Sequence, residues 1–337
     1  MSIDSPGVAA RSSSGSVAAS EPMPENIRSV QPGGGFVYSI EMAWGYVRRG
    51  YLKTLRRGYV RNMAALRTGD ASGAPHEILD PRDLKFCRNL CTARWADEDD
   101  AFLWREHVPF ARWGLAELLL MSAPLVLLCW AFWITPLWWL AFGPAVVLGL
   151  VVWFFRDPHR LVPREPGQVV SPADGVVAEI APLETHDFVG EPAVRIGIFL
   201  SIFNVHINRA PVAGRIVRLR YHPGKFLNAL NPESAILNEN MVVGLQETSA
   251  PYRKMVVRQI AGLFARKIVC DLKPGQDVRR GEKFGMIKLG SRTELILPAA
   301  GLDVAVKVGQ KVKAGSTVMA RYAVAPPNVT ASEASAS

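Results

Sequence analysis

The sequence predicts an α+β protein, a mainly β catalytic domain preceded by an N-terminal helical membrane hairpin. Two observations carry this. Residues 118–155 contain no charged side chain, and since one membrane span needs about 20 apolar residues the run is close to two spans. Beyond it the texture changes to short apolar stretches separated by Gly and Pro, the spacing of strands in a sandwich or barrel. A hydrophobic share of 49% over 337 residues argues against wholesale disorder and leaves room for two units, or one large unit with appendages.

Residues 1–35 are rich in Ser, Ala, Gly and Pro and end in Pro32-Gly-Gly-Gly35. They read as a disordered tail and not as a signal peptide, which needs an apolar core behind its basic end. Residues 36–113 read as helical and amphipathic, with no legible role of their own. Within them Arg48, Arg49, Lys53, Arg56, Arg57, Arg61 and Arg67 alternate with Trp44, Tyr46, Tyr51, Leu52, Leu55 and Tyr59. That mixture suits an anionic membrane surface, and the formal charge of +9 calls for such a partner. Nucleic acid is the competing partner, but no zinc-finger, RNA-recognition or basic-zipper pattern supports it.

Residues 114–156 form the expected hairpin. Thr135-Pro136 lies near the middle of the uncharged run, and Pro124, Gly143, Pro144 and Gly149 argue against one long straight helix. Trp130, Trp133, Trp138, Trp139 and Trp153 supply aromatics of the kind found at headgroup depth. Basic residues on both flanks place both ends on the cytoplasmic side. The competing reading is a buried helical pair in a soluble core.

Residues 157–325 hold the expected strands: 169–181, 194–202, 214–221, 241–246, 254–261, 267–272, 294–298 and 303–308. Gly275-Gln-Asp-Val278 followed by Gly281 recurs as Gly309-Gln-Lys-Val312 followed by Gly315. Each copy reads as a turn and strand entry, as in the biotinyl and lipoyl-like barrel sandwiches, and Ser171-Pro-Ala-Asp-Gly175 resembles the opening turn of those domains. A non-enzymatic lipoyl-like module would need an acceptor lysine in a Met-Lys-Met or Asp-Lys-Ala hairpin, and none is present. Residues 326–337 read as a second disordered tail. Cys87, Cys91, Cys129 and Cys270 make no Cys-x-x-Cys pair, so no metal site or disulfide framework is expected; Cys87 and Cys91 are spaced for one helix face.

Three polar residues embedded in the β region bear chemistry. Asp174 is either an Asx turn or a functional carboxylate. His206 is either structural or a base. Ser291 follows Gly290, and the dipeptide is either a turn or a bond that the chain breaks in itself. Attack of the Ser291 hydroxyl on the Gly290 carbonyl converts the amide to an ester. β-Elimination then leaves residue 291 as dehydroalanine, which tautomerises to an imine, takes up water and releases ammonia to become an N-terminal pyruvoyl group, an electrophile that no side chain supplies. A His206 steadied by Asp174 would deprotonate Ser291 and start that attack. The same three residues would serve a membrane serine hydrolase, although no Gly-x-Ser-x-Gly elbow surrounds Ser291.

Taken together, Phe154-Phe-Arg-Asp-Pro158, Ser171-Pro-Ala-Asp-Gly-Val-Val177, Ser201-Ile-Phe-Asn-Val-His-Ile-Asn-Arg209, Pro211-Val-Ala-Gly214, Asn238-Glu-Asn240 and Phe284 to Arg292 resemble the phosphatidylserine decarboxylase proenzymes of the short bacterial type. The resemblance covers about residues 105–321. It implies a cut between Gly290 and Ser291, a covalent pyruvoyl cofactor made from Ser291, and a heterodimer of the products 1–290 and 291–337. It further implies decarboxylation of phosphatidylserine in the bilayer to phosphatidylethanolamine, through a Schiff base, at the inner membrane of a bacterium. One departure stands out. Longer relatives carry two histidines three residues apart in the histidine segment; here His206 matches the first and Arg209 stands in place of the second. Either His206 performs both tasks or another residue such as His222 contributes. Arg209, Arg215 and Lys225 are candidates to meet the lipid phosphate.

Overall fold

The computed structural model describes residues 16–227, 234–262, 267–288 and 291–323. Residues 16–35, expected to belong to a disordered tail, instead lie along the β domain with Ile27 and Val30 buried. The backbone explains this: Glu21 donates to the Val217 carbonyl at 2.8 Å, and Cys270 donates to that of Val30 at 2.8 Å. A few apolar anchors and paired amides hold a segment whose composition alone looks coreless.

The helices α1 (Phe36–Leu55) and α2 (Arg57–Leu66) follow. Leu52 and Met63 are their buried residues, whereas Phe36, Trp44, Tyr46, Tyr51 and Leu55 are exposed. Met63 packs with Ile78, Leu84, Cys87, Cys91 and Trp95 in a small core, where burial pushes the Cys87 thiol up to about 12. Arg48 and Arg49 pair with Asp80 and Asp83, so part of the basic cluster is neutralised from within. After the single turn α3 (Trp104–His107) come α4 (Leu115–Trp133) and α5 (Phe142–Phe154), packed side by side. Arg112–Trp133 contains an 18-residue stretch of mean hydropathy 2.0, of which 6% is buried, and is long and apolar enough to cross a membrane; α5 is shorter. The two ends of the pair meet where Ala111 donates to the Phe155 carbonyl at 2.7 Å.

The strands are β1 (Gln168–Val170), β2 (Gly175–Leu183), β3 (Ala193–Leu200), β4 (Ile207–Arg209), β5 (Gly214–His222), β6 (Asn240–Gln246) and β7 (Lys254–Ile260). They continue as β8 (Lys267–Cys270), β9 (Asp277–Val278), β10 (Lys283–Lys288), β11 (Ser291–Pro298), β12 (Leu302–Val304), β13 (Lys311–Val312) and β14 (Val318–Tyr322). A curled antiparallel sheet runs β13-β2-β3-β11-β7-β6-β5-β9, and two three-stranded sheets, β1-β14-β12 and β4-β10-β8, complete the domain. The architecture is α+β with a mostly antiparallel half-barrel.

The repeat read from the sequence occupies the two edges of this sheet. Gly275, Gly281, Gly309 and Gly315 all have positive φ, between 72° and 85°, where a Cβ is strained. Gly275 donates to Ile216 and Gly281 to Ala210; Gly309 donates to Val177 and Gly315 to Ser171, each at 2.8 Å. Val278 then pairs with Gly214, and Val312 with Gly175. The two copies make matching hydrogen bonds and pairings, so Asp174, just before Gly175, corresponds in position to Ala213, just before Gly214.

Candidate active site

Alternation along β11 decides where Ser291 points. Ser291, Thr293, Leu295 and Leu297 share one face and are fully buried, while Arg292 lies on the other face and pairs there with Glu179 and Glu294. Ser291 opens the strand, opposite Leu200 at the end of β3. At the same end of the sheet lie Gly175 of β2, Ile260 of β7, Asn240 of β6 and His222 of β5. Asp174 precedes Gly175, and the His206 loop leaves from Leu200, so the fold gathers all three predicted residues at one strand end. Gly290, with Leu289, lies outside the described residues.

His206 sits in the loop between β3 and β4. Ser201 donates to the Asn204 side chain through both N–H and hydroxyl at 2.8 Å, which tightens the turn. The Phe154-Phe-Arg-Asp-Pro158 motif and the Trp153 before it lock the loop from outside: Trp153 and Arg156 donate to the Phe203 carbonyl at 3.2 and 2.9 Å, and the Phe154 ring lies 4.5 Å from the imidazole. Asp157 accepts from Arg209 at 3.1 Å and Lys283 at 2.8 Å, fastening β4 to β10. Ile287 of β10 donates to the His206 carbonyl at 3.2 Å, so the strand leading to the Gly290-Ser291 bond is hydrogen-bonded to the histidine's own backbone.

The imidazole Nδ1 is 2.9 Å from the Asn204 carbonyl oxygen. A carbonyl only accepts, so Nδ1 carries the proton and Nε2 keeps a free lone pair. That Nε2 and the Ser291 hydroxyl are both buried without a hydrogen-bond partner among the described residues. Burial lowers the His206 pKa to about 4, so the ring is neutral at physiological pH. A neutral imidazole with an open Nε2 is a competent base.

Asp174 does not orient His206. Its carboxylate accepts from Arg160 at 2.7 Å and from the Ala314 amide at 2.7 Å, joining the linker after the hairpin to the Gly309-Gly315 turn. The Asp–His–Ser relay of a serine hydrolase is therefore not assembled. The two resolved phosphate candidates with charged partners are also occupied elsewhere: Arg209 holds Asp157, and Arg215 holds Asp277 at the opposite end of the sheet. Lys225 and His222 are exposed near the active end.

Sequence reasoning passed over a buried polar bridge beside Ser291. Asn208 donates to Thr293 at 3.2 Å and accepts from Gln259 at 2.9 Å, linking β4, β11 and β7. Its position inside the Ser201–Arg209 segment was the available signal. Lys267 and Lys288 were likewise unmarked. They line an apolar cavity of about 800 Å³ whose other walls include Phe36, Met121, Leu150, Phe154, Ile202 and Phe203.

A strand end that gathers a buried serine and a neutral buried base, with an apolar cavity against the Phe154 and Ile202–Phe203 segments that flank the histidine, has the parts of an enzyme active site open to a substrate with an apolar portion. The sequence profile of the phosphatidylserine decarboxylase family matches residues 147–320. A phosphatidylserine decarboxylase proenzyme of Rhodopirellula baltica is 54% identical over 242 residues, covering 71% of this chain and 99% of its own length. Proenzymes of the same name from Chlorobium phaeobacteroides and Carboxydothermus hydrogenoformans are 46% and 40% identical, over 54% and 60% of this chain and 84% and 99% of theirs. The chain belongs to the phosphatidylserine decarboxylase family, and it is a carboxy-lyase.

Proposed function

We propose that the chain cuts itself between Gly290 and Ser291, converts Ser291 to a pyruvoyl group, and with it decarboxylates phosphatidylserine to phosphatidylethanolamine and CO2. The observation that carries this reading is the pair of buried orphan atoms, Ser291 Oγ and His206 Nε2, at the strand end fed by β10. An unpaired buried hydroxyl and an unpaired buried imidazole nitrogen each cost free energy in a static fold, and a proton passed between them gives both a use. His206 takes the Ser291 proton at Nε2, while the Asn204 carbonyl holds the tautomer. Asp174 acts at one remove, by pinning Arg160 and the Ala314 turn next to the start of β2.

A pyruvoyl group on residue 291 would supply an electron sink for decarboxylation, in place of pyridoxal phosphate. The residues present fit it: position 291 is buried, faces the core and has no competing hydrogen bond among the described residues. His206 Nε2 is where a proton is held for the carbon that loses CO2. Phe154 and the surrounding apolar wall keep water from that proton.

The domain plan follows the chemistry. Residues 157–325 are the decarboxylase unit, built as a biotinyl/lipoyl-like barrel sandwich in which the paired edge turns support the likeness. Residues 114–156 are a hairpin seated in the bacterial inner membrane, with both ends and the catalytic unit on the cytoplasmic side. Residues 36–113 rest on anionic headgroups. Exposure of Leu119, Leu127, Trp130, Trp133 and Phe142 supports the hairpin, since so much apolar surface suits lipid and not water. The deciding variant is Ser291→Ala: it leaves one uncut polypeptide without activity, and a cut or active Ser291→Ala chain refutes the proposal.

A further inference from the structure

The apolar cavity holds two cations at one place. Lys267 and Lys288 are directly opposed in the β8–β10 ladder. Like charges set directly across an antiparallel pair repel, and in an apolar setting each ammonium also loses hydration, so an arrangement of this kind needs an acceptor between its members. Lys288 has a carboxylate partner of its own in Glu117 of α4, and the Glu239 carboxylate acts on Lys267 from nearby; the remaining acceptors are borrowed. Lys288 donates to Glu117 and, at 3.0 Å, to the Gln31 side chain; Lys267 donates to the Gly33 carbonyl. Gln31 and Gly33 belong to a strap, residues 31–35, that runs straight into Phe36, Val37 and Tyr38 of the cavity wall. The strap passes so close to Glu239 and Tyr221 that a Cβ on Gly33 would come within 2.7 Å of the Glu239 carboxylate. The strap lies outside residues 147–320, the part that the family profile matches.

We propose that Lys267 and Lys288 form the anion subsite for the phosphodiester of the glycerophospholipid substrate, and that the Gln31–Gly35 strap closes this subsite until the phosphodiester displaces it. This rests on the decarboxylase reading. Lys288 is three residues from Ser291, hence within about 10 Å of it along the chain, a reach that spans a serine headgroup from amine to phosphorus. The carboxylate of the substrate is the wrong anion for the pair, because holding it would stabilise the charge that departs as CO2. The phosphodiester keeps its charge throughout. A charged acceptor makes stronger bonds with ammonium than the amide and carbonyl oxygens it replaces, which favours the exchange.

The test compares two soluble substrates on the full processed chain: dihexanoyl phosphatidylserine, and O-octanoylserine, which keeps the amine, carboxylate and apolar chain but lacks the phosphodiester. Lys267→Met, and Lys288→Met combined with Glu117→Gln so that no buried carboxylate is stranded, each raise KM for the phospholipid about tenfold or more and leave O-octanoylserine unchanged. Gln31→Ala lowers KM for the phospholipid, and Gln31→Glu, which puts a carboxylate against Lys288, raises it. Equal losses on both substrates, or Gln31 variants that shift both alike, overturn the proposal. Phenylhydrazine labelling of the small fragment is read on the same samples, so loss of the pyruvoyl group is told apart from loss of the phosphodiester contact.

Discussion

His206 is oriented by Asn204, two residues before it, and not by Asp174. The Nδ1 to carbonyl bond of 2.9 Å fixes the tautomer from within the loop, and it leaves Asp174 to hold Arg160 and the Ala314 amide. The two residues therefore have separable effects. His206→Gln slows self-cleavage by about a hundredfold or more while the chain still folds, as incubation of the purified precursor followed by gel densitometry checks.

Asp174→Asn strands Arg160 in a half-closed setting and destabilises the precursor by about 3 kcal/mol, with slower cleavage as a consequence. Removing the cation as well, in Asp174→Asn with Arg160→Gln, restores part of both the thermal midpoint and the cleavage rate. A double variant that regains stability yet stays uncut would give Asp174 a direct part in the chemistry.

The buried imidazole also sets a pH dependence. In the unfolded chain His206 takes a proton near its ordinary value of 6.5, in the folded chain only near about 4. Between these values the unfolded state binds more protons, so stability falls as pH falls through that window, by about 3 kcal/mol in all, and is unaffected above it. Self-cleavage needs the neutral ring, so its rate holds from neutral pH to about 5 and drops as the folded pKa near 4 is reached. Denaturant titrations of Ser291→Ala, with and without His206→Gln, measure the first effect, and cleavage of the wild-type precursor across pH measures the second.

Phe154 is part of what keeps that pKa low, since its ring covers the imidazole at 4.5 Å. Phe154→Ala admits water, raises the His206 pKa toward 6.5 and moves the acid limb of self-cleavage to higher pH. The substitution costs about 3 kcal/mol as a cavity, so the pH profile and not the yield is the discriminating readout. An unmoved limb would assign the low pKa to other walls.

The cut fragments should stay together without a covalent link. In the uncut chain β11 is paired along its length with β3 and along most of it with β7, while β14 pairs with β1 and β13 with β2. Residues 291–337 accordingly co-elute with residues 1–290 in size-exclusion chromatography until denaturant is added.

Much of this was legible in the sequence, for identifiable reasons. The four glycines of the repeat marked turns because their positive φ disfavours any other residue, and they located both sheet edges. The strand Lys283–Lys288 went unread because Gly285 interrupts its pattern. The glycine is there because a Cβ would come within 2.2 Å of the Val269 carbonyl. Residues 169–181 looked like one strand and are two, split at the turn that presents Asp174. Ser291, His206 and Asp174 stood out as candidates and lie toward one strand end, but the partner of His206 is a backbone carbonyl, and a carbonyl carries no residue identity to read. Tail packing was hidden likewise, because Ile27 and Val30 are too few to mark a core by composition.

The central claim is that Ser291 becomes a ketone. Intact-mass measurement of the purified chain, with and without phenylhydrazine, tests the cut and the ketone together. Two polypeptides are expected, 1–290 and 291–337, with the smaller one bearing a pyruvoyl end and gaining one hydrazone. A single uncut polypeptide in an active preparation, or a small fragment that keeps an unmodified serine and takes up no hydrazine, would contradict it.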